Sequence, residues 1–313
     1  MKYSVVLLLF FSFYYSYSQQ APTYAQYTYQ QLLANPAVAG SDKGIVITAS
    51  QRKQWHSIAG SPNTESLSIH APVLHKSIGL GAFVVNENAG MLHHLYLGTC
   101  YAYKINLLSG VFSFGLQVGA IQLGVNSANA DPKDIDDNYL PVVNKKVWSL
   151  DFGTGLYYQS SRLTISVSSQ HLKPYKSNAP NFSINNISYL MATYSLPLTT
   201  DFSLMPAINV RHTFKASTQY DVGLYIKEKH SCSVGVNYRN QAVWSFQLML
   251  NSALFFPKIK DQWSIGYAYD YAANGLTNTN VLGNELLLIY KIAPKKKYST
   301  LEKQLPNVSP KYF

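Results

Sequence analysis

Asp131, Asp134, Asp136 and Asp137 crowd one polar stretch of the chain, and carboxylates at such density can bind calcium. Their spacing lacks the glycine and the terminal Glu of a dedicated calcium loop, so the stretch reads as a solvated acidic loop. His93 and His94 are adjacent. On a strand, neighbours point to opposite faces, which does not suit a shared metal. Cys100 falls on the polar face of one segment and Cys232 on the apolar face of another, so no disulfide framework is expected. Ser and His are common, but no convergent nucleophile and base stand out. The reading is therefore of a protein that is not an enzyme, with no catalytic residue, cofactor or metal. A more regular set is Arg52, Arg162, Arg211 and Arg239 with Asp151, Asp221 and Asp270. These recur on the polar faces of alternating segments, and their simplest work is to line and cross-brace a polar interior. A selective pore is the sharper reading of the same residues, and it requires an open lumen.

The elements that carry these residues have a period of two. In 111–120, Phe112, Phe114, Leu116, Val118 and Ala120 alternate with Ser113, Gly115, Gln117 and Gly119. In 148–158, Trp148, Leu150, Phe152, Leu156 and Tyr158 alternate with polar or small residues. Such alternation gives each strand one apolar and one polar face. About fourteen segments follow this pattern, starting near 44, 64, 77, 92, 110, 147, 161, 186, 201, 219, 230, 242, 261 and 283. Most run for 10–14 residues, beyond the usual soluble strand and enough for a tilted membrane strand. The predicted fold is all-β: a transmembrane antiparallel up-and-down barrel spanning 43–292.

Composition agrees. Only 13% of residues are charged, while Tyr occurs 25 times. A soluble domain carries about a quarter charged residues, whereas a wall between lipid and water needs few. Residues 1–18 read as a secretory signal: Lys2, an apolar run from Val5 to Tyr15, then Ser16-Tyr17-Ser18. Residues 19–42, with Tyr24, Tyr27 and Tyr29, are expected either to plug the barrel or to dock in the periplasm. The formal charge of +10 is partly gathered in a basic periplasmic tail, 293–313. Nucleic acid is not an expected partner of an exported protein.

With a periplasmic N-terminus, the outside connections are 54–63, 87–91, 125–146, 171–185, 215–218, 240–241 and 272–282. Those facing the periplasm are 74–76, 106–109, 159–160, 197–200, 228–229 and 255–260. The long connections fall on one side, as membrane barrels require. Loops 125–146 and 171–185 offer Asp131, Asp134, Asp136, Asp137, Lys173 and Tyr175 to a protein partner. Tyr101, Tyr103, Tyr158, Phe255, Tyr267, Tyr269 and Tyr271 cluster near strand ends on the lipid side, where phenol rings favour the headgroup level. Pro206 is awkward in a fully paired strand, which suggests a bulge or a misplaced strand.

Several blocks resemble one family. Asn35-Pro36-Ala37-Val38-Ala39-Gly40, then Arg52-Lys53-Gln54-Trp55, is similar to the opening of PorP/SprF proteins. Pro62-Asn63-Thr64 through His70-Ala71-Pro72 follows, then Gly79-Leu80-Gly81 with Asn86, and finally Gly266 through Tyr269-Asp270-Tyr271. Where the family often has His-Glu at its last strand, this chain has Asn284-Glu285. The resemblance implies an outer-membrane barrel working with type IX secretion and gliding components. Its partners would be outer-membrane lipid, that machinery and a secreted adhesin that it helps export or anchor at the cell surface. The alternative is a diffusion porin for small solutes, and a soluble exported sandwich comes third.

Overall fold

The computed structural model describes residues 22–56, 58–73, 77–125, 145–176, 183–214, 217–229, 231–240, 242–256, 262–272 and 282–293. The signal, Asp131, Asp134, Asp136, Asp137 and the tail from 294 onward lie outside them.

Fourteen long strands close on themselves. They are β1 (Ile45–Lys53), β2 (Asn63–Val73), β3 (Ile78–Ala89), β4 (Leu92–Leu107), β5 (Gly110–Val125), β6 (Lys145–Ser160) and β7 (Leu163–Gln170). The ring continues with β8 (Ile187–Tyr194), β9 (Phe202–Thr213), β10 (Gln219–Glu228), β11 (Cys232–Arg239), β12 (Val243–Asn251), β13 (Gln262–Ala272) and β14 (Leu282–Ile292). Each pairs antiparallel with its sequence neighbour, and β14 returns to β1 from Ile45↔Ile292 to Lys53↔Asn284. Closure leaves no sheet edge, which is what a strand-built wall needs inside hydrocarbon. The expected strand starts each lie within two residues of an observed one. Lengths are more varied than expected, from 8 residues in β7 to 16 in β4.

The barrel is polar inside and apolar outside. Leu116, Val118, Leu150 and Phe246 face outward, Leu150 at 60% exposure. Ser113, Gln117, Asp151 and Gln247 on the same strands are buried. A soluble core would reverse this, so the alternation read from sequence marks a lipid-facing wall. No helix among the described residues is long and apolar enough to cross a membrane.

The short turns, 108–109 and 161–162, share the end where β1 begins and β14 finishes. The opposite end carries the 54–62, 126–144, 171–186 and 273–281 connections. Within 171–186 a small ribbon pairs Tyr175–Lys176 with Ser183–Ile184. At this long-loop end Gly90 N donates to Gly60 O at 2.7 Å, pinning the 54–62 loop to the β3–β4 turn.

Pro206 neither bulges nor displaces its strand. It pairs in register with Leu224 of β10. On its other side the ladder to β8 stops at Thr193↔Ala207 and resumes in the same register at Leu196↔Leu204. The imino residue has no N–H to offer, so the ladder simply skips it.

Candidate functional site

Inside the wall lies the chain that precedes β1. Residues 22–42 form turns, a short helix (α1, Gln31–Ala34) and a 3-10 turn, Pro36–Val38. Asn35 builds that turn: its Oδ1 accepts from Ala37 N at 2.8 Å, and Pro36 supplies a preset φ at the first position. The Asn35 amide also donates to Leu156 O at 2.9 Å and Ser166 Oγ at 2.8 Å, so one side chain both shapes the segment and ties it to β6 and β7.

The segment approaches the wall closely, and glycines permit it. A Cβ on Gly115 would lie 2.1 Å from Ala37 N, and one on Gly155 2.0 Å from Asn35 Oδ1. A Cβ on Gly79 would meet Ala39 O at 1.8 Å. Gly40 turns the chain with a φ of +67°, and its N–H donates to His70 Nδ1 at 3.1 Å. Leu32, Leu33, Val38 and Ala39 then pack with Phe83, Val85 and Tyr157 into the main apolar cluster of the interior.

Glu285 is the second anchor. Its carboxylate accepts from Ala25 N at 2.6 Å, Gln26 N at 3.2 Å and Gln30 Nε2 at 2.6 Å. Arg52 Nη1 lies 3.1 Å from it and Nη2 lies 2.5 Å from Asp270. Glu285 is 0% exposed and Arg52 1%. Two carboxylates around one guanidinium, with backbone N–H donors on the first, pair the buried charges, while Arg52 Nε and Asp270 Oδ1 have no hydrogen-bond partner among the described residues. Gln247 donates to Ala25 O at 2.7 Å, Gln170 to Leu33 O at 2.7 Å, and Arg211 to Pro22 O at 3.0 Å. The segment thus runs from the long-loop end, at Pro22, to the short-turn end, where Asp42 meets Lys291 at 2.9 Å. Burial opposes ionisation of Asp42, but Lys291, with His70 and Lys104, holds its carboxyl below the usual range.

Two other networks brace the wall. Arg239 Nε donates to Asp221 at 2.6 Å. Asp151 accepts from Tyr96 at 2.5 Å and lies 3.0 Å from His171 Nδ1, with Gln117 bonded to the same tyrosine. His171 has a φ of +56°, so this contact fixes where the 171–186 connection leaves β7.

The sequence matches the family described as type IX secretion system membrane protein PorP/SprF over residues 16–290. The chain belongs to the PorP/SprF family. No curated protein matches it by sequence. Among solved structures it is similar to the Ralstonia pickettii toluene transporter TbuX, at 10% identity over 83% of this chain and 91% of that one, TM-score 0.48. The Pseudomonas putida toluene transporter TodX matches at 8% identity over 83% and 91%, TM-score 0.44. The KdgM porin matches at 9% over 79% and 99%, TM-score 0.36.

In this PorP/SprF barrel some of the residues singled out by sequence gather into two clusters. Asn35, Pro36, Ala37, Gly40, His70 and Pro72 meet where the inner segment docks. Arg52 and Asp270 meet around Glu285. The others stand apart. Gln54 closes the 54–62 loop through its backbone N–H to Pro62 O at 2.9 Å, and Trp55 is exposed in that loop. Asn86 reaches Glu65 at 3.4 Å, and Tyr269 lies on the outward face beside Asn284. Lys173 is exposed, and Tyr175 sits in the small ribbon. Of the expected bracing set, Arg162 differs: it stands exposed at the β6–β7 turn. Glu285 was missed as a site residue. Its signal was a lone carboxylate on the inner phase of β14, in step with Leu287 and Ile289, both buried.

Proposed function

We propose that this barrel is an outer-membrane accessory of type IX secretion that acts by binding polypeptides, neither by catalysis nor by passing solutes. The long-loop end faces outside and engages a secreted adhesin, or the short-turn end engages periplasmic machinery. The observation that carries this reading is the inner segment. It crosses the lumen with side-chain bonds to β6, β7, β9, β12 and β14, which favours a binding platform over a diffusion porin. A deletion strain compared with its parent by mass spectrometry of secreted and surface proteins tests it. Loss of one adhesin assigns a dedicated partner, and loss of many cargo proteins assigns a core role. An unchanged secretome overturns the reading. Replacing 173–184 with a short Gly-Ser linker, which keeps His171 and the Gln170–Ile187 pairing, separates the two ends: if the outer loops hold the adhesin, surface retention fails while the barrel still folds.

A further inference from the structure

At the long-loop end the wall does not stop at one height. β5 pairs with β6 along its whole length, from Lys145 to Ser160. β7 pairs with β6 only from Thr154 to Gln159. Gln170 at the end of β7 stands level with Ile187 of β8, and Ile187 with Thr213 of β9. β6 therefore projects past the ends of β7, β8 and β9, and its flank from 146 to 151 has no strand beside it among the described residues.

The backbone of that flank is in phase to pair. Leu172 N donates to Phe152 O at 3.0 Å, so Phe152 turns its carbonyl to the β7 side. Alternate residues turn the same way. Lys146, Trp148 and Leu150 thus direct their N–H and C=O groups sideways, while Val147, Ser149 and Asp151 turn theirs to β5. Among the described residues, the partner of these sideways groups is Ser149 Oγ alone, which donates to Leu150 O at 3.2 Å. Trp148 and Leu150 are 51% and 60% exposed on the outward face. Unpaired backbone groups beside apolar side chains that meet lipid and its headgroups are costly, and an added strand removes the cost.

The chain's own neighbouring segment is not that strand, because beyond Leu172 its Tyr175–Lys176 pairs with Ser183–Ile184 instead. A second copy fits poorly. Two barrels in one membrane share a long-loop side, so their β6 strands run the same way and, being tilted, cross instead of aligning. Alternating N–H and C=O groups are matched by another polypeptide backbone, not by a sugar or a lipid headgroup.

We infer that the projecting edge of β6 takes up an extended segment of an exported partner polypeptide as an added strand, its apolar residues beside Trp148 and Leu150. The inference rests on the reading of the barrel as a polypeptide-binding accessory. The secretome of the deletion strain tests that wider reading, whereas peptide binding to the purified barrel tests the edge alone.

The test is fluorescence anisotropy of labelled Ser-Val-Thr-Val-Ser with the full-length barrel in nanodiscs. The plain peptide is expected to bind, and the same peptide methylated at alternate backbone nitrogens to bind about tenfold more weakly. Trp148→Pro removes an N–H from the open edge and none from the β5 ladder, a position where proline is tolerated. That barrel is expected to keep its gel mobility shift and to bind the peptide about tenfold more weakly. Trp148→Val keeps the N–H and is expected to bind close to the parent. If Trp148→Pro fails to fold, the methylated peptide decides the matter on the parent barrel. No binding, equal binding of the methylated peptide, or binding unchanged in a folded Trp148→Pro barrel overturns the inference. Dimers in sedimentation that Trp148→Pro breaks would give the edge to a second copy and also overturn it.

Discussion

The two anchors of the inner segment work by different physics, and single substitutions separate them. At Gly115 the limit is space. Gly115→Ala places a methyl 2.1 Å from Ala37 N and is expected to cost about 1–3 kcal/mol, the usual penalty of overpacking. Gly124→Ala is the control, because its nearest contact would be 3.5 Å, and it is expected to change little. The temperature at which the folded barrel loses its mobility shift on a denaturing gel measures both. At Glu285 the limit is charge. Glu285→Ala leaves Arg52 with one buried partner and strips acceptors from Ala25 and Gln26, so a loss of about 3–5 kcal/mol is expected on the same gel. Asp42 gives the pH dependence. Its carboxyl titrates below the ordinary 3.8, so its pairing with Lys291 stabilises the fold above that value and is lost as pH falls through the lowered one. Asp42→Asn is therefore expected to unfold at lower temperature than the parent at pH 7, with the gap narrowing as pH falls below 3.8. A gap that does not narrow with acid would assign the effect of the substitution to packing.

Along one strand, adjacent positions obey opposite rules. Leu116 faces lipid and Gln117 the interior, so Leu116→Arg is expected to cost about 2–4 kcal/mol near the bilayer midplane. Urea unfolding in lipid vesicles reads this, and a cost near zero would mean the outer face of β5 does not meet hydrocarbon. The same alternation made the fourteen strands and their inward residues legible. Each strand repeats the signal many times, and a slip of one residue would turn every side chain over. The inner segment had no such redundancy. Residues 22–42 show neither period, because they are shaped by single contacts such as Asn35 to Ser166 and Gly40 to His70. Those contacts join positions far apart in sequence, and only the closed ring brings them together. Pro206 was misread for a related reason. Its cost depends on which neighbour the missing N–H would face, and here the gap falls toward β8.

For the whole molecule, the question is whether a fourteen-strand ring conducts. A barrel of that size has room for a channel unless something fills it. Here Glu285, Asn35 and the wall glycines hold a chain across the lumen. The full-length barrel is therefore expected to be silent in planar bilayers. Loosening the Glu285 anchor alone leaves the Asn35 anchor in place, so Glu285→Ala should give brief openings. Removing 22–42 leaves the strands but not the filling, and stable stepwise conductance is expected. The deletion is informative only if the barrel still shows its gel mobility shift, which the ladder predicts because β1 pairs with β2 and β14 without help from that segment. A folded but silent deletion variant would mean that the wall's own side chains, Arg239 with Asp221 and Tyr96 with Asp151 among them, close the lumen. A full-length barrel that conducts steadily would restore the porin, because a segment tied to the wall at so many strands would then leave a path beside it.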